Sequence, residues 1–178
     1  MRLFIGIPLE ASLAQELSAL TFRLKSGDDG LRWSAPESWH VTLDFLGNTT
    51  AAKFGCLTEQ LGEVRGAPVP VRMGEPGFFD RAGVFFVDVV PAAELVALQQ
   101  AVVEADRRCG FPPEARPYHP HITLARAKGQ GRGLRQLRAK LKEPPRFRGF
   151  VAEEFVLYES FTGGAGSRYE IRARFPLG

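Results

Sequence analysis

The segment RPYHPHITLAR, residues 116–126, decides the fold when it is set beside HVTLDFLG, residues 40–47. Each contains a histidine, a β-branched residue, a threonine and a leucine in the order H-[VI]-T-L. Such runs read as strands, and side chains alternate across a strand. His40 and Thr42 are therefore expected on one face, with Val41, Leu43 and Phe45 on the other. His121 and Thr123 are expected to oppose Ile122 and Leu124 in the same way. The apolar set can bury against helices. The polar set must find water, a partner or a ligand, which points to a solvent-open groove.

Working outward, strands and helices alternate. RLFIGIPL (2–9) reads as a strand, and residues 10–25 carry apolar side chains at 13, 17, 20 and 24, a helical stripe. A turn at SGDDG (26–30) leads to the first H-x-T strand. A helix over 51–64 and a short edge strand at PVPVRM (68–73), with Pro68 and Pro70, follow. The pattern then restarts with a strand at 83–90 and a helix over 92–110 that Gly110 and the next prolines stop. The second H-x-T strand, a helix over 133–142 ended by EPP, and two closing strands joined by FTGGAG (161–166) complete the chain.

The two motifs lie 121 − 40 = 81 residues apart, and the same shift carries Leu3-Phe4 onto Val84-Phe85. Pro8 and Pro91, each ahead of a helix, match at 91 − 8 = 83. So small a drift across a helix argues for internal duplication. The expectation is one two-lobed domain over 1–178, with repeats roughly at 1–80 and 81–178. The motifs would meet across a pseudo-two-fold axis.

Bulk properties narrow the function classes. A chain of 178 residues with 44% hydrophobic content can bury a core without staples. Cys56 and Cys109 lack metal-ligand spacing and are read as reduced, buried thiols of a cytoplasmic protein. No apolar run approaches the ~20 residues of a membrane span. MRLFIGIPL is too short for a secretory signal and reads as a first strand. The net charge of +3 is compatible with a phosphate-bearing ligand. Cations cluster from Arg126 to Arg148, as a solvated basic helix or as a face toward nucleic acid.

A groove holding two imidazoles and two hydroxyls suits in-line displacement at a phosphodiester. One neutral imidazole takes a proton from the attacking oxygen, and one protonated imidazole gives a proton to the leaving oxygen. An ordinary pKa of ~6.5 makes both states accessible. Thr42 and Thr123 can donate to the nonbridging oxygens. A zinc site from His40, His119 and His121 is conceivable, and Asp44 could share the His40 face. Pro120 and the lack of a carboxylate common to both motifs count against metal. No metal or other cofactor is expected, and His119 reads as a rim residue.

The paired HVTL and HITLAR resemble the two-histidine phosphoesterases. The chain is most similar to the RNA 2′,3′-cyclic phosphodiesterases, historically called 2′-5′ RNA ligases. MRLFIGIPL, LRWSAPESWHVTLDFLG, PYHPHITLAR and VLYESFTGGAGSRYEIRARFPL carry the resemblance over nearly the whole chain. It implies a bilobal α+β fold with two antiparallel-containing sheets lining a central cleft and helices outside. It implies hydrolysis of a 2′,3′-cyclic phosphate on an RNA end to a 2′-phosphate. His40 would be general acid and His121 general base, although the near-symmetric motifs do not order these roles by themselves. Thr42 and Thr123 would hold the phosphate. Arg126 matches the family's basic residue after the second motif, yet strict alternation would turn it from Thr123's face unless the strand bends or Arg126 enters from the edge. Trp33, Trp39, Tyr118 and Tyr158 are the candidates for stacking on the base.

The expected substrate is RNA with a 2′,3′-cyclic phosphate end or a cyclic nucleotide, handled by a monomer. The reverse joining of 2′-5′ ends follows from microscopic reversibility. Two other readings stay open: a phosphodiesterase for a small cyclic nucleotide or ADP-ribose cyclic phosphate, and a module that binds a nucleotide or RNA end without turnover.

Overall fold

The structure is a computed structural model that describes residues 1–129, 132–143, 145–163 and 166–178. The centre of FTGGAG and the middle of EPP lie outside the described residues. Helix α1, Ala11–Leu24, buries Leu13, Leu17, Leu20 and Leu24, the stripe predicted from spacing. Helix α2, Ala51–Gly62, starts at Thr50, whose side chain accepts from the Lys53 amide. Helix α3, Ala93–Arg108, ends in a turn where Gly110 takes φ +78°, a conformation that favours glycine. Helix α4, Arg132–Lys140, buries Leu134 and Leu137.

The strands are β1 (Arg2–Pro8), β2 (Leu31–Trp33), β3 (His40–Asn48), β4 (Val69–Val71), β5 (Met73–Phe79), β6 (Val84–Val89), β7 (His121–Ala127), β8 (Phe150–Ala152), β9 (Glu154–Gly163) and β10 (Gly166–Pro176). They form one sheet in the order β10-β9-β1-β3, a second in the order β2-β7-β6-β5, and a β4-β8 ribbon. All pairings are antiparallel. The sheets exchange strands across the chain. Early β2 and β5 join the sheet of the second H-x-T motif, and late β9 and β10 join the sheet of the first. One continuous core runs through both, from Leu3, Leu13 and Val41 to Phe85, Leu95, Ile122 and Phe155.

Strand β5 does not follow from its sequence, where Gly74, Pro76 and Gly77 look like breakers. Gly77 is needed there: a Cβ on it would lie 2.6 Å from the Phe86 ring. The cysteine expectation is also corrected. Cys56 of α2 and Cys109 at the end of α3 form a disulfide, because these two helices pack side by side. The loop it closes spans 53 residues. Cross-linking a loop of that size restricts the unfolded chain. Reduction, or the Cys56→Ser/Cys109→Ser double variant, is expected to lower the unfolding free energy by about 2–4 kcal/mol in urea titrations. Equal midpoints with and without reductant would show that the bridge contributes nothing.

Both H-x-T strands carry an extra residue at the same place. In β3, Thr42 pairs with Gly6 and Asp44 with Ile5, leaving Leu43 unmatched. In β7, Thr123 pairs with Phe86 and Ala125 with Phe85, leaving Leu124 unmatched. A one-residue bulge reverses the alternation downstream. Leu43, Leu124 and Ala125 are all buried. The residue five beyond each histidine, Phe45 or Arg126, then emerges exposed on the histidine face. Phe45 therefore does not share the inner face with Val41, and Arg126 does not turn from Thr123.

Candidate functional site

Strands β3 and β7 lie against each other and bring the two motifs together. Tyr118, just ahead of β7, donates its hydroxyl to the Thr42 carbonyl at 3.0 Å and ties the two strands at this point. The two histidines are held alike. His40 Nδ1 is 2.7 Å from the Ser38 carbonyl, and His121 Nδ1 is 2.7 Å from the His119 carbonyl. A carbonyl only accepts, so each Nδ1 carries the proton and donates. Proton transfer is thereby assigned to Nε2 on both rings. A 3-10 turn at Pro36–Ser38 sets the first carbonyl.

The rings rest on aromatic walls. Phe4, Tyr169 and Tyr158 stand 4.6, 5.4 and 5.6 Å from the His40 ring, centroid to centroid. Phe79 and Phe86 stand 5.0 and 5.3 Å from His121. Gly6 permits the first arrangement: a Cβ there would sit 2.9 Å from the Val41 oxygen and 3.4 Å from the His40 ring.

Burial lowers the His40 pKa to about 4, with positive charge on His121 and Arg126 adding to the effect and the bond to Ser38 opposing it. Burial likewise lowers that of His121, helped by His119 and Arg126 and opposed by the His119 carbonyl and Asp88. Without a ligand, both imidazoles are neutral at pH 7. That Arg126 acts on both rings agrees with its position after the bulge. A phosphate anion between the rings would favour their charged forms.

His119 lies on the rim, half-exposed, with Nε2 2.7 Å from Asp88 Oδ1. Asp88 is the register partner of His121. Its signal in the sequence was a lone carboxylate inside VFFVDVV. Asp44 does not join His40. The bulge turns it toward α3, where its carboxyl meets Asp106. Both Asp106 carboxylate oxygens are buried without a hydrogen-bond partner. Burial, and then Asp44, raise the Asp106 pKa to about 8.

Several residues of the basic run are occupied elsewhere. Arg138 pairs with Asp80, Arg148 with Glu16, and Lys140 donates to Ser26. Arg32 instead lies opposite Arg126 across β2 and β7. With Lys25, Lys128, Asp29 and Trp33 it lines a concavity of about 390 Å³. The four suspected stacking aromatics are all packed. Trp39 and Tyr158 are buried, Trp33 donates to Asp29, and Tyr118 is the strap to Thr42.

The family model of the 2′-5′ RNA ligase superfamily matches residues 9–163. A Geobacillus stearothermophilus protein named RNA 2′,3′-cyclic phosphodiesterase is 32% identical over 98% of this chain, which spans only 56% of that protein's length. An Escherichia coli K12 protein of the same name is 29% identical over 99% of this chain and 96% of its own length. The crystal structure of E. coli LigT complexed with 3′-AMP has a TM-score of 0.84 at 28% identity, covering 99% of this chain and 97% of that one. With the family model spanning most of its length, the chain belongs to the 2′-5′ RNA ligase superfamily, the two-histidine phosphoesterases.

Proposed function

We propose that this protein hydrolyses 2′,3′-cyclic phosphate ends of RNA to 2′-phosphate ends by histidine acid–base catalysis without a metal. The observation that carries the reading is the pair of imidazoles anchored at Nδ1 in equivalent places, with Arg126 acting on both. His121 Nε2 takes a proton from water as the water oxygen attacks phosphorus. The P–O3′ bond breaks, and protonated His40 gives its Nε2 proton to O3′. Thr42 and Thr123 donate to the nonbridging oxygens, and Arg126 offsets their charge. The substrate anion supplies the negative charge that lets one of two otherwise neutral rings enter the cycle protonated.

The RNA strand leaves the site past Arg126, Arg32 and Lys128. The test is a cyclic-phosphate oligoribonucleotide in EDTA, with the product phosphate located by NMR. Turnover to a 2′-phosphate is expected, faster than for 2′,3′-cyclic AMP by a margin that shrinks with salt. A 3′-phosphate product, or activity abolished by EDTA, would defeat the reading. Tight binding of product with no turnover would leave the site a binding module.

Matching bulges and matching Nδ1 anchors support duplication of a unit of roughly 80 residues as the origin of the two motifs. We take the protein to be a monomer, which sedimentation tests. Among the described residues no helix is long and apolar enough to cross a membrane. An RNA substrate suggests the cytoplasm. The Cys56–Cys109 bridge argues for an oxidising compartment, and thiol alkylation straight from cells decides between them.

A further inference from the structure

Asp88 puts a carboxylate on the histidine face. It is the β6 register partner of His121, and cross-strand partners share a face. Negative charge there opposes an anionic substrate, so the group that answers it matters. His119 Nε2 donates to Asp88 Oδ1 at 2.7 Å, and both side chains are half-exposed. An ion pair so open to water adds little to stability. Its place in the fold sets it apart from outlying pairs such as Arg138–Asp80 and Arg148–Glu16.

The two site histidines are anchored alike at Nδ1, but the anchors are built differently. On the first side the Ser38 carbonyl belongs to the 3-10 turn Pro36–Ser38. The Ser38 amide and hydroxyl close that turn on the Ala35 carbonyl, at 2.9 and 2.7 Å. On the second side, residues 111–120 form no helix or strand. The His119 carbonyl is instead moored to β6 through two neighbouring residues. The His119 ring bonds Asp88, and the Pro120 carbonyl accepts from the Val89 amide at 3.0 Å. Phe79 and Phe86 stand edge-on to His119 at 5.1 and 5.6 Å, as they do to His121, so one aromatic wall backs both rings.

A neutral imidazole with its proton on Nδ1 leaves Nε2 bare, the form a general base needs. The His119 carbonyl keeps the proton there. Whatever fixes residue 119 therefore fixes the tautomer and the aim of His121.

We propose that Asp88 and His119 are the positioning pair for His121: the carboxylate holds the His119 ring, and the His119 carbonyl thereby holds the His121 Nδ1–H. This rests on the cyclic-phosphodiesterase reading above, in which His121 activates water.

The experiment measures kcat and KM of Asp88→Ala and His119→Ala on 2′,3′-cyclic AMP. Each kcat should fall by about 10- to 100-fold, the loss expected when a reacting group is held less well, with KM and the melting midpoint near native. The double variant should lose little more than either single one, because the pair acts as a unit. His119→Gln, whose amide can still donate to Asp88, should recover most of what His119→Ala loses. A 3′-deoxynucleoside 2′-p-nitrophenyl phosphate, whose leaving group needs no proton, should show the same loss in Asp88→Ala, since the base step remains. Native kcat in Asp88→Ala, or a loss confined to KM or to the cyclic ester, would overturn the assignment. Should the native protein turn over neither ester, the phosphodiesterase reading fails separately. The ¹⁵N NMR shifts of His121 then read the pair: Nδ1–H alone in the native protein and mixed tautomers in Asp88→Ala support it, and one tautomer in both overturns it.

Discussion

Replacing His40 or His121 by alanine is expected to lower kcat/KM on a 2′,3′-cyclic phosphate by about 10²–10⁴-fold, with product binding retained. Each ring supplies one proton transfer to the same displacement. The double variant should therefore lose little more than the worse single one, because groups acting as a unit are not additive. The leaving oxygen separates the two roles. A 3′-deoxynucleoside 2′-p-nitrophenyl phosphate keeps phosphorus on O2′ and expels, in place of O3′, a group that needs no proton. On it, His40→Ala should lose less than about tenfold while His121→Ala still loses about 10²–10⁴-fold. The opposite pattern would exchange acid and base. Native activity in either single variant on the cyclic substrate would end the pairing.

The pH profile follows from the same two rings. The free-enzyme profile, kcat/KM, is a bell between two macroscopic pKa values of the pair. Both histidines are held below the ordinary value of ~6.5. The optimum of kcat/KM therefore belongs on the acid side of that value, and kcat, with the phosphate anion bound, should peak at higher pH. A kcat/KM optimum well above 7 would contradict the burial argument for His40.

The sequence made the polar pairs legible because strand alternation is local. His40 with Thr42, and His121 with Thr123, needed only a period of two. The α1 stripe needed only a period near 3.6. The bulges at Leu43 and Leu124 were not legible, since HVTLDF and HITLAR continue to alternate on paper. Arg126 and Phe45 were consequently placed on the wrong face by simple counting. Pairings of β2 with β7 and of β9 with β1 are long-range and leave no local trace. The disulfide was hidden for the same reason, because 53 residues of sequence do not say which helices will pack. Asp106 was visible in principle. It falls on the buried stripe of α3 with Leu95, Leu98, Val102 and Ala105, an acid where the pattern calls for an apolar residue.

That buried acid sets the second large effect. Asp106 is 1% exposed and faces Asp44, whose own pKa is raised by burial and by Glu114. The buried Asp106 carboxyl, in contact with the partly buried Asp44, does not ionise alongside it, so the pair holds one proton between them. Unfolded, Asp106 titrates near the ordinary aspartate value of 3.8, and burial in the fold raises it to about 8. Between these values the native state binds the extra proton, so stability falls as pH rises. The contribution is complete below about pH 4 and lost through about pH 8, by at most on the order of 5 kcal/mol. The lowered histidine values act oppositely below ~6.5, so the native protein alone does not isolate the acid. Asp106→Asn does, because an amide donates to Asp44 at every pH. Urea unfolding at pH 5 and pH 9 should find the variant close to native at pH 5 and more stable than native at pH 9. Parallel pH dependence in the two proteins would mean that Asp106 is ionised in the fold, and the shared proton would have to be abandoned.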